Sequence, residues 1–275
     1  MYLDNAHPAP PGLDKLVLEL PKAAAETMRL AQRRWRTQLK LAPAGDGHAV
    51  VTIPGFGGGD RSMAMLRRYM DRLGYRAEPW GFGTNIIRGK VQSLDEVLMF
   101  CQTMEGKIVD RLARITDETG EKVSLVGWSM GGIYANSIAQ THPDLVRQVI
   151  TLGSPIGDPR GTSVWNIMKK VMRGNIPDHL QNVQGWIERR DQQGERKVRT
   201  SIIYSDYDGA VSRESAVIEG HELVENIHVP SSHVGFTHNP AVYWVIADRL
   251  SQHPDNWNRF CHSHTPDKIR KYFKL

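Results

Sequence analysis

The chain predicts an α/β fold: a mostly parallel central sheet of about six strands, with helices on both faces and a helical cap insert. Three observations predict it. From His48 onward, short Val- and Ile-rich runs alternate with longer segments of helical period, the rhythm of buried strands joined by crossover helices. The 275 residues are 40% hydrophobic and 24% charged, which suits one large core in a globular protein. The rhythm breaks once, between Pro155 and Lys197, where roughly forty residues show no strand pattern, a length typical of functional loops or loops with helices of their own.

Residues 1–45 read as a helical extension. After Pro21, Ala24, Met28, Ala31, Trp35 and Leu39 recur at helical spacing, and that stripe is expected to pack on the body of the protein. The body, 46–275, opens with the strand "HAVVTIPGF". "RSMAMLRRYMDRLGY" follows as a helix, with Asp60 as its N-cap and Gly74 as its stop. "RAEPWGF" is the second strand. The long helix "SLDEVLMFCQTMEGKIVDRLARITDETG" starts with Ser93 and Glu96 at capping-box spacing and stops at Gly120. "KVSLVGW" is a strand, and "GGIYANSIAQTH" a helix that ends near Pro143. "VRQVITLGSP", "VRTSIIYS" and "NIHVPS" are the remaining strands, and "PAVYWVIADRL" is a last helix. The insert, about 156–198, mixes Trp165, Ile167, Met168, Met172, Ile176, Leu180 and Trp186 with charges. It is expected to cap the active face, with Trp165, Met168 and Met172, together with Trp128, as candidate substrate-binding residues.

Gly127-Trp128-Ser129-Met130-Gly131 fits G-x-S-x-G and has the context that gives the pattern meaning, a strand before it and a helix after it. A serine on so sharp a turn stands in a strained backbone region, and bulk two residues either side would strike the strand and helix. Ser129 is therefore the candidate nucleophile, above a helix N-terminus that favours developing negative charge. Its hydroxyl needs a base. Of eleven histidines, His7, His48, His142, His179 and His221 fall in predicted tails, turns or the cap. His228 lies within a strand, and His253, His262 and His264 crowd the C-terminus as surface residues. In "PSSHVGFTHNP", His233 follows the final strand and is preferred to His238, which sits where the last helix begins. The acid should lie between them in the chain, and "IIYSDYDGAV" offers Asp206 and Asp208. Asp208 is preferred: Gly209 allows a tight turn after it and Val211 can anchor the loop.

An oxyanion hole needs two preorganised N–H groups. Met130, directly after the nucleophile, is one candidate, and Phe56 in "IPGFGGGD" is the other. The glycine run there is not a phosphate loop, since G-x-x-x-x-G-K-[ST] and the dinucleotide fingerprint are both missing. All four elements fall at predicted strand C-termini, where open α/β sheets gather their sites.

Other features narrow the function. The net charge of +5 is modest and dispersed, and no nucleic-acid motif is present. The short clusters around Arg33–Arg36 and in "PDKIRKYFKL" read as a solvated face, with peripheral contact to an anionic lipid surface as the second reading. Cys101 and Cys261 match no metal or redox spacing and are expected to be reduced and buried. The acidic, short-run start "MYLDNAHPAPPGLDKLVLEL" is neither a secretory signal nor a membrane span, so the expected location is cytoplasmic. The mechanism calls for no metal and no organic cofactor.

In "VVTIPGFGGGDRSMAMLRRYMDRLGY", "VSLVGWSMGGIYA", "LGSP", "YSDYDGAV" and "SSHVGFTHNP" the chain resembles the α/β-hydrolase fold of small bacterial lipases and esterases, over roughly Gly47 to Leu250. The resemblance implies Ser129, Asp208 and His233 as a triad, Phe56 and Met130 as oxyanion donors, and a sheet lacking the fold's first one or two antiparallel strands. Many relatives carry His-Gly where this chain has Pro54-Gly55, so its oxyanion loop must be supported differently. The expected function is hydrolysis of an apolar acyl ester through an acyl-enzyme. Acyl transfer or thioester cleavage on the same triad is the alternative, and a non-catalytic binding protein the more distant one.

Overall fold

The computed structural model describes residues 8–32, 39–89, 94–163, 196–270 and 273. Among these, six strands form one sheet: β1 (Ala49–Ile53), β2 (Arg76–Pro79), β3 (Val123–Trp128), β4 (Val146–Leu152), β5 (Thr200–Tyr204) and β6 (Val224–His228). Their order is β2-β1-β3-β4-β5-β6. Each neighbouring pair runs parallel, so the described sheet is parallel throughout. The chain steps outward from β1 to β2, then returns to place β3 on the other side of β1. Open α/β sheets bind ligands beyond the C-terminal ends of the strands at such a reversal, here between β1 and β3.

The helices are α1 (Leu13–Val17), α2 (Glu19–Ala31), α3 (Ala64–Leu73), α4 (Leu94–Thr119), α5 (Met130–Thr141) and α6 (Pro240–Leu250), with shorter single turns between and after them. Strand periodicity divides the core into two layers. Val50, Val126, Ile150 and Ile203 face Leu66 and Met70 of α3 and Val242, Val245 and Ile246 of α6. Ala49, Val51, Ile53 and Leu125 face Ile108 and Leu112 of α4 and Tyr134 and Ile138 of α5. Each fully buried aliphatic side chain of this kind stabilises the fold by about 1.5–3 kcal/mol. Gly74 and Gly120 end α3 and the α4 segment in the left-handed region, at φ 101° and 72°.

Several local expectations are corrected. The first turn after Gly59 is a 3-10 helix, and the Asp60 carboxylate does not cap it; it accepts from the Trp80 N–H at 3.1 Å, tying the turn to the end of β2. Cys261 is exposed and Cys101 only partly buried, and no disulfide joins them. His48, directly before β1, is buried, with Ser124 and Asp46 as partners. The stripe expected to dock the N-terminal extension faces outward: Met28 is 64% exposed, and Ala24 and Ala31 are exposed too. The buried face of α2 is Glu19, Ala23, Glu26 and Leu30. Hydrophobic pattern misleads here because the body offers this helix loop N–H groups, which carboxylates satisfy better than methyls. Leu39 is buried as expected. Trp35, Ser93 and cap residues 164–195 lie outside the described residues. At the near end of the insert, Pro159–Gly161 forms one 3-10 turn and Thr162 makes an antiparallel bridge to Val211.

Candidate active site

Ser129 sits between β3 and α5 with φ 53° and ψ −121°, and it is the only non-glycine residue with positive φ among those described. The glycines two positions away explain how the turn is tolerated. A Cβ on Gly127 would lie 2.5 Å from the Gly131 carbonyl oxygen and the Gly132 backbone, and one on Gly131 would run into the carbonyl of Ile53 in β1. The turn thus works only with hydrogens facing both neighbours. Met130 opens α5, so its N–H has no intrahelical acceptor.

The loops after β5 and β6 meet. Asp208 and His233 are both buried, and Asp208 Oδ2 accepts from His233 Nδ1 at 2.8 Å. The other oxygen, Oδ1, accepts from the Ala210 and Val211 N–H groups at 2.7 and 2.8 Å. Val211 is buried and bridged to Thr162. Asp206 points elsewhere, exposed and 3.4 Å from His228 Nε2. His238 bonds Thr237 Oγ1 at 2.9 Å, in the turn before α6. Asp208 bonded to Nδ1 leaves Nε2 as the basic nitrogen. Burial pulls the His233 pKa down, but the charge and hydrogen bond of Asp208, with the charge of Glu19 behind them, outweigh it and hold it above the ordinary 6.5.

Trp128, the residue before Ser129, brings His233 to the turn. Its indole N–H donates to the His233 carbonyl at 2.9 Å, and the two rings lie 5.8 Å apart. No hydrogen bond joins Ser129 to His233 in this structure; such contacts commonly tighten only around bound substrate.

On the other side of Ser129 runs the Pro54–Gly59 loop. A Cβ on Gly55 would come within 2.9 Å of Ser129 Cβ, so this loop touches the elbow. Gly57 and Gly58 donate to Asn85 and Gly55 carbonyls at 2.7 and 3.0 Å. The Phe56 N–H, between Gly55 and Gly57, donates to no backbone carbonyl of the described residues. Asn85 supplies the support that Pro54 cannot. Fully buried, it donates from Nδ2 to the Pro54 carbonyl at 2.9 Å, donates its N–H to the Gly58 carbonyl, and accepts from the Tyr134 hydroxyl at 3.3 Å. Its position between "FGT" and "II" carries no motif, which is why sequence reasoning passes over it.

Glu19 and Glu26 were also missed. Their carboxylates lie against the His233 loop, Glu19 on the N–H groups of Gly209, His233 and Val234 and Glu26 on Ser232. Ser205 makes a similar splice, its hydroxyl accepting from the Tyr207 and Ser231 N–H groups at 3.0 Å each. The structure therefore brings Ser129, Met130, Phe56, Trp128, Asp208 and His233 to the same C-terminal edge of the sheet. Trp165, Met168 and Met172 lie outside the described residues.

Residues 39–219, well over half of the chain, match the family model described as the alpha/beta hydrolase fold. The chain belongs to the α/β-hydrolase fold family. Solved structures agree with this α/β-hydrolase architecture. A lipase of Bacillus licheniformis in its mature form superposes with a TM-score of 0.53 at 18% identity, over 76% of this chain and 94% of that one. A monoacylglycerol lipase of Paleococcus ferrophilus gives 0.50 at 17%, over 76% and 96%. A candidate non-heme bromoperoxidase of Mycobacterium tuberculosis gives 0.52 at 17%, over 74% and 92%. Such identities carry the fold and not the reaction. No curated protein matches by sequence.

Proposed function

We propose that this α/β-hydrolase is a serine carboxylic-ester hydrolase acting on an apolar acyl ester, with Ser129 as nucleophile, His233 as base and Asp208 as its orienting acid. The observation that carries the reading is the buried 2.8 Å bond between Asp208 and His233 Nδ1, on a loop that Trp128 fastens beside the strained Ser129. His233 Nε2 takes the proton as Ser129 Oγ attacks the ester carbonyl. Asp208 keeps the imidazole in its tautomer and stabilises the imidazolium without itself taking the proton. The Phe56 and Met130 N–H groups receive the negative charge that develops on the carbonyl oxygen. Collapse of the tetrahedral intermediate expels the alcohol, protonated by His233, and leaves Ser129 acylated. Water deprotonated by His233 then releases the acid.

Ester chemistry is favoured by the arrangement itself, since a serine, a histidine and an aspartate with two N–H donors perform acyl transfer to water; lipases are among the proteins that share this fold. In this reading, 46–275 is the hydrolase domain with its insert at about 156–198, Trp128, Trp165, Met168 and Met172 line the acyl site, and 1–45 is an extension. Transfer of the acyl group to another acceptor shares the first half-reaction and differs only in what attacks the acyl-enzyme.

The test is a p-nitrophenyl ester series from acetate to palmitate, with wild type and Ser129→Ala side by side and fluorophosphonate labelling in parallel. Turnover and label that both vanish in Ser129→Ala support the reading. Undiminished turnover in that variant rejects it. Product analysis with an added alcohol separates hydrolysis from transfer.

A further inference from the structure

The N-terminal extension reaches the site through two acidic side chains. Glu19 and Glu26 are each 5% exposed, although nothing about a surface helix requires burying a carboxylate. They stand seven residues apart, two turns along one face of α2, with Ala23 and Leu30 completing that face. Burial of such groups is tolerable only when hydrogen bonds replace water. Here all the partners belong to the two loops that carry the acid and the base.

Glu19 Oε1 accepts from the Gly209 N–H at 2.7 Å and from the His233 N–H at 3.0 Å, while Oε2 accepts from the Val234 N–H at 3.0 Å. A single carboxylate thus spans the residue after Asp208 and the backbone of His233 itself. Glu26 Oε1 accepts from the Ser232 N–H and Oε2 from the Ser232 hydroxyl, each at 2.9 Å, and that hydroxyl accepts from the Gly235 N–H at 3.1 Å. The loops are shaped to receive the helix. A Cβ on Gly235 would overlap the Glu26 carboxylate, and one on Gly209 would lie 2.6 Å from the Lys15 carbonyl oxygen. Lys15 Nζ, on α1, donates to the Asp206 carbonyl at 2.7 Å.

We propose that Glu19 is a positioning residue for the reaction, clamping the Asp208 and His233 loops at their working separation, and that the N-terminal extension is thereby part of the active site. The proposal rests on the assignment of Ser129, His233 and Asp208 made above. Glu19 acts through the backbone of its neighbours and touches no reacting atom. An ionised carboxylate can accept from all three N–H groups, whereas a glutamine would turn its NH2 toward one of them, donor against donor. The charged groups that face His233 among the described residues are Asp208, from the β5 loop, and Glu19, from α2. Glu26 follows one residue along, on Ser232.

The experiment compares wild type, Glu19→Gln, Glu19→Asp, Leu30→Ala and Ser129→Ala in steady-state kinetics, pH profile, fluorophosphonate labelling rate and Tm. Leu30→Ala loosens the same helix without touching the clamp. Glu19→Gln is expected to lower kcat by roughly 10–100-fold, the scale of a sub-ångström to 1 Å misplacement, with KM changed by less than about threefold, as for loss of an interaction realised in the transition state. Removing the charge should also move the acid limb of kcat/KM to lower pH, because Glu19 raises the His233 pKa. Glu19→Asp, which keeps the charge but falls one methylene short, should lose kcat with its acid limb near that of wild type. The proposal is overturned if Glu19→Gln keeps kcat within about twofold, or if Leu30→Ala at an equal loss of Tm loses as much kcat. An unmoved acid limb in Glu19→Gln also rejects it. A Ser129→Ala variant that still turns over ester sinks both the site assignment and the clamp. An inert Ser129→Ala beside an unimpaired Glu19→Gln sinks the clamp alone.

Discussion

His48 Nε2 lies 2.8 Å from Ser124 Oγ, while its Nδ1 meets Asp46. The molecule therefore holds a second serine–histidine–aspartate chain, at the opposite end of the sheet from Ser129. The residue types of the chemistry are present, but its setting is not. Ser124 is a fully buried residue inside β3, next to no helix N-terminus and no strained turn. Burial also pushes the His48 pKa below its ordinary value, against the pull of Asp46. This cluster ties the Asp46–His48 segment to the sheet.

Ser124→Ala should accordingly leave fluorophosphonate labelling and ester turnover intact. It should destabilise the protein by about 1–3 kcal/mol, since His48 loses a buried partner. Urea unfolding and active-site labelling of the same preparation check both halves. Lost labelling in a folded variant would contradict the assignment to Ser129.

Asp206 and Asp208 stand two residues apart and give opposite expectations. Asp208→Asn should lower kcat by roughly 10³–10⁴-fold, because an amide holds the imidazole in the wrong tautomer. Asp206→Asn removes only an exposed contact with His228 and should stay within about threefold of wild type, in line with the small worth of exposed ion pairs. Parallel kinetics on one ester decide it, and similar losses in both variants would reject the assignment of Asp208.

The pH profile follows from His233. Catalysis needs its neutral form, and Asp208 and Glu19 hold its pKa above 6.5 in spite of burial. Activity should therefore rise with pH through a midpoint above 6.5 and be lost as the histidine protonates below it. A kcat/KM profile between pH 5 and 9 measures the midpoint; one well below 6.5 would mean that the acid–histidine pair is not engaged in solution.

Glu105, on α4, is a partly buried carboxyl that the mechanism does not use. Burial raises its pKa from 4.5 to about 7, with the hydrogen bond from Ser137 pulling the other way. The folded state then holds this proton more tightly than the unfolded chain. Its contribution is most favourable below pH 4.5 and is lost as pH rises through about 7. Glu105→Gln removes that slope, so its stability relative to wild type should rise by about 1–3 kcal/mol between pH 5 and pH 8. Urea midpoints at the two pH values test it.

Much of this was legible in the sequence because local physics decides it. Short Val/Ile runs and helical segments in alternation yield five of the six described strands, since burial on both faces leaves a strand few alternatives; β2, Arg76–Pro79, has neither residue and is only partly buried at the sheet edge. The serine elbow is legible for the same reason: only hydrogens fit at Gly127 and Gly131, so the spacing of small residues around Ser129 is written into the chain. Ser129, Asp208 and His233 follow β3, β5 and β6, and the C-termini of these strands share one edge of the parallel sheet.

Other features exist only as contacts between distant segments. Asn85 braces Pro54 across 31 residues, Trp128 holds His233 across 105, and Glu19 reaches the His233 N–H across 214. None has a periodicity or a spacing to announce it. The N-terminal helix shows the reason most clearly. Its apolar stripe through Ala24 and Met28 is the face a hydrophobic pattern would bury, yet Glu19 and Glu26 are inside. Sequence alone determined which segments become strands and where the chain turns at Ser129, because steric fit and burial act over a few residues. Tertiary structure alone decided which face of that helix is buried and which acceptors brace the His233 loop, because unsatisfied N–H groups on remote loops choose their acceptors only once the chain has folded.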